Sequence, residues 1–227
     1  MENIRLVGTS HVSKQSSKII KEEFLDFKPD ILCVELDKAR LKSLISGKSK
    51  IKLSMIRHIG VTGFLFAIIG RYVQQKLGKV TGVTPGEDML TAVKLAGKNQ
   101  KKLALIDRQV HITMKRLSKN VGFKEKSKIV WDVISSPFRN TLKIKLDVTK
   151  VPEDELVEKL TKLMKNRYPQ MHKVLIQERN EVMTKRILNI HKNNPDKKIL
   201  VVIGAGHKKG MQELLDKAHE SHLLNNQ

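Results

Sequence analysis

The stretch that decides the fold is KILVVIGAGH, residues Lys198–His207. After Lys198 the stretch is an unbroken apolar run that leads into two glycines and a histidine, and such a run predicts a strand buried on both faces. Three more runs of this kind occur upstream. Each of the four runs is followed by a stretch with helical periodicity. The predicted strands are Asn3–Val7, Asp30–Val34, Lys102–Ile106 and Lys198–Ile203. Strands that alternate with helices indicate an α/β fold with a mostly parallel central sheet and flanking helices.

The segments between the strands predict the rest of the organisation. Residues 38–86 are too long for one crossover helix, so we expect a helical insertion there. Residues 109–150 predict a mostly helical, strongly basic section, and a long helix is predicted from Pro169 to His191. The last strand predicts a short helix from about Lys209. We expect one domain over residues 1–227, which is ample length for a core.

Composition excludes several classes of protein. The single cysteine, Cys33, excludes a disulfide scaffold and a cysteine-rich zinc module, and it fits a reducing compartment. The longest uncharged stretch, residues 59–70, falls short of the roughly 20 residues that a membrane-spanning helix needs. The first residues do not resemble a signal peptide, so we expect a cytoplasmic location. Residues 59–70 contain more apolar side chains than one helix face requires. This excess predicts a homodimer.

The net charge of +21 is concentrated in the middle of the chain. Residues 38–86 contain ten basic residues and no acidic one, and residues 94–150 contain 15 basic and four acidic residues. One interpretation is a solvated lysine-rich surface, and another is peripheral contact with an anionic membrane surface. Nucleic-acid binding is disfavoured, because no motif accompanies the charge and aromatic residues make up only 4% of the chain.

Ionisable groups follow all four predicted strands. Ligands bind beyond the carboxyl ends of parallel strands, so these residues are candidates for one site. Two of the ends share the pattern Gly-x-x-His, in which glycine allows a sharp turn and a close approach to a ligand. The four ends are Gly8-Thr9-Ser10-His11, Glu35-Leu36-Asp37, Asp107-Arg108 and Gly204-Ala205-Gly206-His207.

Two chemical roles are open for these groups. His11, Glu35 and His207 form a plausible three-ligand set for a catalytic metal with one position open for water. Alternatively, histidine performs general acid/base catalysis without a metal, and Glu35 sets its tautomer. Arg108 either binds a substrate carboxylate or oxyanion, or pairs with Asp107 to close the strand end.

Three further residues and one glycine have simple explanations on spacing alone. Glu87 follows Gly86 in a first helical turn, where an acid matches the helix dipole. Glu178 and Arg179 lie in mid-helix, where the spacing favours a surface pair. Gly210 falls one residue late for a dinucleotide-binding fingerprint begun at Gly204, so that motif is set aside.

Taken together, these motifs resemble the TraB/PrgY (pheromone-shutdown) family of the Tiki-like superfamily. The resemblance extends over most of the chain and depends on the order and spacing of its motifs. They are Gly8-Thr9-Ser10-His11-Val12-Ser13, Pro29-Asp30 leading to Val34-Glu35-Leu36-Asp37, Arg40, Pro85-Gly86-Glu87-Asp88-Met89, Leu105-Ile106-Asp107-Arg108, Glu178-Arg179-Asn180 and Gly204-Ala205-Gly206-His207.

The resemblance implies one active site and assigns roles to its residues. His11, Glu35 and His207 are implied as the active-site trio and as ligands of a divalent metal ion, for which Mn, Co and Zn are candidates. The same resemblance raises Glu87 and Arg108 as supporting catalytic residues. The implied substrate-binding residues are Arg108, Glu178, Arg179, Gly8, Gly204 and Gly206.

Three function classes follow. The leading hypothesis is a metal-dependent hydrolase, in particular a peptidase that inactivates a peptide or acts on a small amide or ester. The second is a non-catalytic protein that sequesters a peptide or small ligand in the same crevice. The third is a basic adaptor for nucleic acid or a membrane surface, using residues 38–86 and 94–150.

Overall fold

The computed structural model describes residues 2–9, 14–47, 55–60, 62–68, 86–135 and 153–224. Within them four strands form one sheet in the order β1-β4-β2-β3, and every pairing is parallel. The α/β fold with a parallel sheet is thus confirmed, and each strand starts and ends within two residues of its predicted bounds. The strands are β1 (Ile4–Thr9), β2 (Ile31–Val34), β3 (Lys102–Leu105) and β4 (Ile199–Gly204).

Helices surround the sheet on both faces. A short helix (Pro169–His172) is followed without a break by a π-helical turn (Lys173–Gln177) and then by a helix from Glu178 to Lys192. The long helix predicted from Pro169 is therefore present. The α-helices are α1 (Lys14–Phe27), α2 (Lys38–Ser46), α3 (Glu87–Lys98), α4 (Val110–Asn120), α5 (Phe123–Ser135), α6 (Glu153–Arg167), α7 (Pro169–His172), α8 (Glu178–Lys192) and α9 (Ala205–Leu224).

Alternate residues of the central strand β4 enter two separate cores. Leu200 and Val202 pack with α1 and α3 on one face, where Phe24 and Met89 are buried. Ile199, Val201 and Ile203 pack on the other face, with side chains of α8 and α9. This alternation is the period of two that a strand imposes. Because both faces are covered, β4 is apolar at every position before its terminal Gly204.

The helix after β4 differs from the prediction. We expected a short helix from about Lys209, whereas α9 begins at Ala205 and runs for 20 residues. It follows the strand directly because Gly8 of the neighbouring strand leaves room. A Cβ atom at Gly8 would lie 3.2 Å from the Cα of Ala205. His207 is therefore in the first turn of a helix rather than in a loop.

The predicted insertion at 38–86 is partly within the described residues. It begins with α2, and residues 56–60 and 62–68 are helical. Gly63 lies against α4, where a Cβ atom would come within 2.9 Å of the Met114 carbonyl oxygen. His11 lies outside the described residues. So do the remainder of the insertion and residues 136–150 of the basic section. Among the helices that the structure describes, none has the length and apolar character needed to cross a membrane.

Candidate functional site at the carboxyl edge of the sheet

Three of the predicted strand-end residues lie at one edge of the sheet, and they are Glu35, Asp107 and His207. Strand β4 lies between β1 and β2, so the residues after β2 and β4 are neighbours. The Glu35 carboxylate accepts a hydrogen bond from the Gly204 backbone N–H at 2.7 Å. Its other oxygen, Oε1, lies 3.4 Å from Nε2 of His207. The sheet order therefore brings Glu35 and His207 into contact, although 171 residues separate them in the sequence.

Arg179 joins these groups to the end of β3. Its guanidinium donates to Oε1 of Glu35, to both carboxylate oxygens of Asp107, each at 2.9 Å, and to the Leu175 carbonyl oxygen at 3.1 Å. Nη1 also lies 3.1 Å from Nε2 of His207. An arginine side chain has five N–H donors, and here four of them face oxygen acceptors and the fifth faces a ring nitrogen of His207.

The environment of Arg179 keeps it charged. Burial by itself lowers the pKa of this guanidinium, but the negative charges of Glu35 and Asp107 and their hydrogen bonds more than compensate and raise it. The side chain is only 13% exposed. Arg179 is therefore a fixed, partly buried cation at the centre of the site. This corrects the spacing-based interpretation of a surface pair with Glu178.

His207 is buried and is held from both sides of its ring. Nδ1 lies 2.6 Å from Oδ1 of Asn180, and Nε2 faces Arg179 and Glu35. Glu35 approaches Nε2 rather than Nδ1, and its role in setting the tautomer stays a prediction. The group beside Nδ1 is Asn180.

Glu178 and Arg108 form a second buried pair behind the first. The Arg108 guanidinium donates to Glu178 at 2.7 Å, to the Val174 carbonyl oxygen at 2.8 Å and to Thr113 at 3.1 Å. Glu178 also accepts from Arg116. These hydrogen bonds from Arg116 and then Arg108 outweigh burial and lower the pKa of the Glu178 carboxyl group. The Arg108 side chain is thus bound by protein groups, and its substrate-binding role stays a prediction.

A π-helical turn makes this arrangement possible. Val174 and Leu175 lie in the π-helical segment, and their carbonyl oxygens accept bonds from Arg108 and Arg179. A π-helical turn changes the helical register of the residues that follow it, and such turns are frequent at functional sites. Glu178 and Arg179 follow immediately, so both reach the edge of the sheet.

The end of β1 contacts α3 through Asp88, and the catalytic role of the adjacent Glu87 stays a prediction. Glu87 is exposed in the first turn of α3, which is the position that helix-dipole matching predicts. Its neighbour Asp88 is buried and accepts a hydrogen bond from Thr9, the last residue of β1. Gly8, Thr9 and Gly204 lie at the same edge, since Thr9 pairs with Gly204 in the sheet register.

Several residues of the site gave a weak signal or none. Asn180, Arg40 and Asp88 enter the sequence analysis only as parts of motifs, and Arg116 does not enter it. Arg40 lies 3.5 Å from Asp107, and Asp37 caps α2 while accepting a bond from the first N–H of α4. The informative signal for Asn180 was its place directly after Glu178 and Arg179.

The metal site predicted from His11, Glu35 and His207 stays a prediction. The nearest atoms of Glu35 and His207 contact Arg179, whose permanent positive charge repels a cation at that position. Across the described ranges, no group of three or more His, Cys, Asp or Glu side chains could hold a metal. His11, the third predicted ligand, lies outside the described residues.

A groove lies beside the site, between α6, α8 and α9. Its volume is about 1100 Å³. Asn180 and Gly206, which border His207, are among its lining residues, so the groove reaches the candidate site. Five lysines and three glutamates also line it: Lys162, Lys165, Lys208, Lys209, Lys217, Glu158, Glu181 and Glu213.

Comparison with known proteins agrees with the resemblance drawn from the motifs. The chain is 34% identical over 225 residues to an uncharacterized protein of Methanocaldococcus jannaschii, covering 95% of this chain and 54% of that protein. It is 26% identical over 195 residues to TraB domain-containing proteins of Bos taurus and Homo sapiens, covering 80% of this chain and 50% of each. The chain thus spans about half the length of the curated relatives it matches. The model of the TraB/PrgY/gumN family matches residues 2–222, and the chain belongs to that family.

Proposed function

We propose that this chain is a hydrolase that cleaves a peptide, or a small amide or ester, at the edge formed by Glu35 and His207. One observation carries the proposal: a buried carboxylate and a buried imidazole approach within 3.4 Å, and a partly buried arginine contacts both. A carboxylate, an imidazole and a fixed cation in one crevice can supply the proton transfer and the oxyanion stabilisation that promote acyl transfer to water.

The chemistry assigned to each group follows from its atoms. Nε2 of His207 carries the lone pair that takes a proton from the attacking water as the water oxygen bonds to the substrate carbonyl carbon. The same nitrogen then returns the proton to the leaving amine or alcohol. Arg179 stabilises the negative oxygen that develops on the substrate. The Glu35 charge favours the protonated imidazole while it holds the proton.

Substrate binding must break the contact between Arg179 and His207 that exists in the free protein. Nη1 of Arg179 donates toward Nε2 of His207, so this nitrogen is engaged before substrate arrives. A substrate oxygen that accepts from Nη1 in its place releases the lone pair. The proposed base is therefore available only when the crevice holds a substrate, which limits proton exchange with bulk water.

The neighbouring groove supports an extended substrate. A space of about 1100 Å³ exceeds what a small amide needs, since pockets for drug-sized ligands occupy about 300–1000 Å³. Its lysines outnumber its glutamates, and one pair, Lys209 and Glu158, lies 3.6 Å apart. We therefore propose a peptide substrate with acidic residues. Acidic peptides should associate more slowly as salt is added, because added ions screen the lysines.

The experiment compares hydrolysis of acidic and basic fluorogenic peptide libraries at low and high salt. His207→Gln and Glu35→Gln should lower kcat/KM about 100-fold or more, the usual contribution of a general acid/base. His111→Gln is the matched control, because His111 is exposed on α4. Equal activity of His207→Gln and the control contradicts the proposal. Binding of peptides without any hydrolysis favours the sequestering alternative.

Metal dependence is tested separately. Elemental analysis of the purified protein and of His11→Ala, with Mn, Co or Zn supplied, determines whether His11, Glu35 and His207 hold an ion. Stoichiometric metal that His11→Ala loses supports the predicted trio. Hydrolysis that persists after chelation supports acid/base catalysis by His207 alone. A steep salt dependence of polyanion or anionic-vesicle binding, without hydrolysis, favours the adaptor alternative.

A further inference from the structure

We propose that Asn180 is a positioning residue that fixes the tautomer of His207. The Asn180 side chain holds the proton of the neutral ring on Nδ1, so that Nε2 directs its lone pair toward Glu35 and Arg179. This inference deepens the proposed function, because either role considered for His207, as a base or as a metal ligand, uses that lone pair.

The first step concerns Nε2. An arginine N–H donates and has no lone pair, so the atom 3.1 Å from Nη1 of Arg179 must be an acceptor. A neutral imidazole has one acceptor nitrogen and one donor nitrogen. Glu35 is the competing partner of Nε2, but it is farther away at 3.4 Å and its Oε1 already accepts from Arg179.

The second step concerns Nδ1. With Nε2 as the acceptor, Nδ1 must carry the proton and needs an acceptor of its own. Oδ1 of Asn180 lies 2.6 Å away. Asn180 is only 4% exposed and belongs to α8, so its amide is held by a rigid, buried element. Because Nδ1 carries the proton, the Asn180 amide presents its oxygen, Oδ1, rather than its nitrogen to the ring.

The third step explains a glycine that the sequence left without a role. Gly210 lies three residues after His207 on α9, on the side that Asn180 approaches. A Cβ atom at position 210 would lie 2.4 Å from Nδ2 of Asn180, which no side chain tolerates without displacing the amide. Glycine at this position therefore leaves the space in which Asn180 reaches His207.

The test reads the tautomer directly by NMR. Protein labelled with ¹⁵N-histidine gives ring spectra in which the two neutral tautomers differ, and His207→Gln identifies the signal. We expect His207 as the Nδ1–H form in the unmodified protein. Asn180→Ala and Gly210→Ala should reduce that form, and hydrolysis should fall about 10- to 100-fold, as for other residues that orient a catalytic histidine. Asn180→Asp keeps an oxygen acceptor and should keep a proton on Nδ1, in the neutral Nδ1–H form or in the protonated ring.

Asn189→Ala is the matched control, because Asn189 is exposed on the same helix. A His207 signal in the Nε2–H form, or one unchanged by both Asn180→Ala and Gly210→Ala, overturns the inference. Circular dichroism identifies a variant that fails to fold, in which case Asn180→Asp and the unmodified protein still decide the outcome. Because the spectrum requires no activity, failure of the proposed hydrolysis would leave this result readable.

Discussion

Replacing Arg179 with methionine removes the cation on which two buried carboxylates depend. Glu35 is 4% exposed and Asp107 is 3% exposed, and each receives hydrogen bonds from this one side chain. Removing one partner of a buried ion pair costs about 3–5 kcal/mol, because the remaining charge is left without compensation. Asp107 keeps Arg40 at 3.5 Å, so we expect the lower half of that range, about 3–4 kcal/mol. For a domain of this size the melting temperature should fall by roughly 6–16 °C.

The assay is urea unfolding and thermal melting of Arg179→Met followed by circular dichroism. Arg167→Met is the control, because it removes an arginine from an exposed pair with Asp132 and should leave the unfolding midpoint nearly unchanged. Adding Glu35→Gln to Arg179→Met should recover part of the loss, since it neutralises a buried carboxylate that has lost its contact with Arg179. A loss below about 1 kcal/mol for Arg179→Met, equal to an exposed pair, would refute the reasoning.

Three other predictions concern stability, reactivity and assembly. The Glu178 carboxyl group has a lowered pKa in the folded state, so its contribution to stability is present above its ordinary pKa and is lost as pH falls through the folded value. Glu178→Gln should therefore flatten the acid side of the stability curve, and an unchanged curve in pH-dependent urea titrations would contradict this. Burial raises the pKa of the Cys33 thiol to about 12, so a thiol reagent at pH 8 should react only after unfolding, and rapid labelling of the native protein would show that the sheet core is accessible. Leu65 and Ile68, in the stretch that predicted a homodimer, are 43% and 44% exposed, and sedimentation showing only monomer at micromolar concentration would contradict the dimer.

Much of the site could be predicted from the strands. Glu35 and His207 were identified because each follows an apolar run, and the carboxyl ends of parallel strands share one edge. Asp107 was identified in the same way. The contact between Glu35 and His207 was a hypothesis, because a sequence pattern does not give the order of strands in a sheet. That β4 lies beside β2 is a property of the tertiary structure.

The residues of α8 could not be placed by spacing. A period of 3.6 residues assigns Glu178 and Arg179 to the helix surface, but the π-helical turn before them changes the register. Only their membership in a recognised motif indicated a site. Asp88 rather than Glu87 turns inward for a similar reason, because the direction of a side chain in a first helical turn depends on how α3 packs on the sheet.

The sequence by itself determined the strands, their parallel arrangement and the edge of the sheet that carries the ionisable groups, because these follow from local periodicity, turn residues and chain direction. Only the tertiary structure decided which of those groups touch. Arg179 meets Glu35, Asp107 and His207 through contacts between residues up to 144 positions apart, and Gly210 makes room for Asn180 on another helix. Such contacts depend on strand order and helix register. The order of the strands and the register of the helices are set when the complete chain packs its apolar side chains together. No short segment of sequence specifies either one alone.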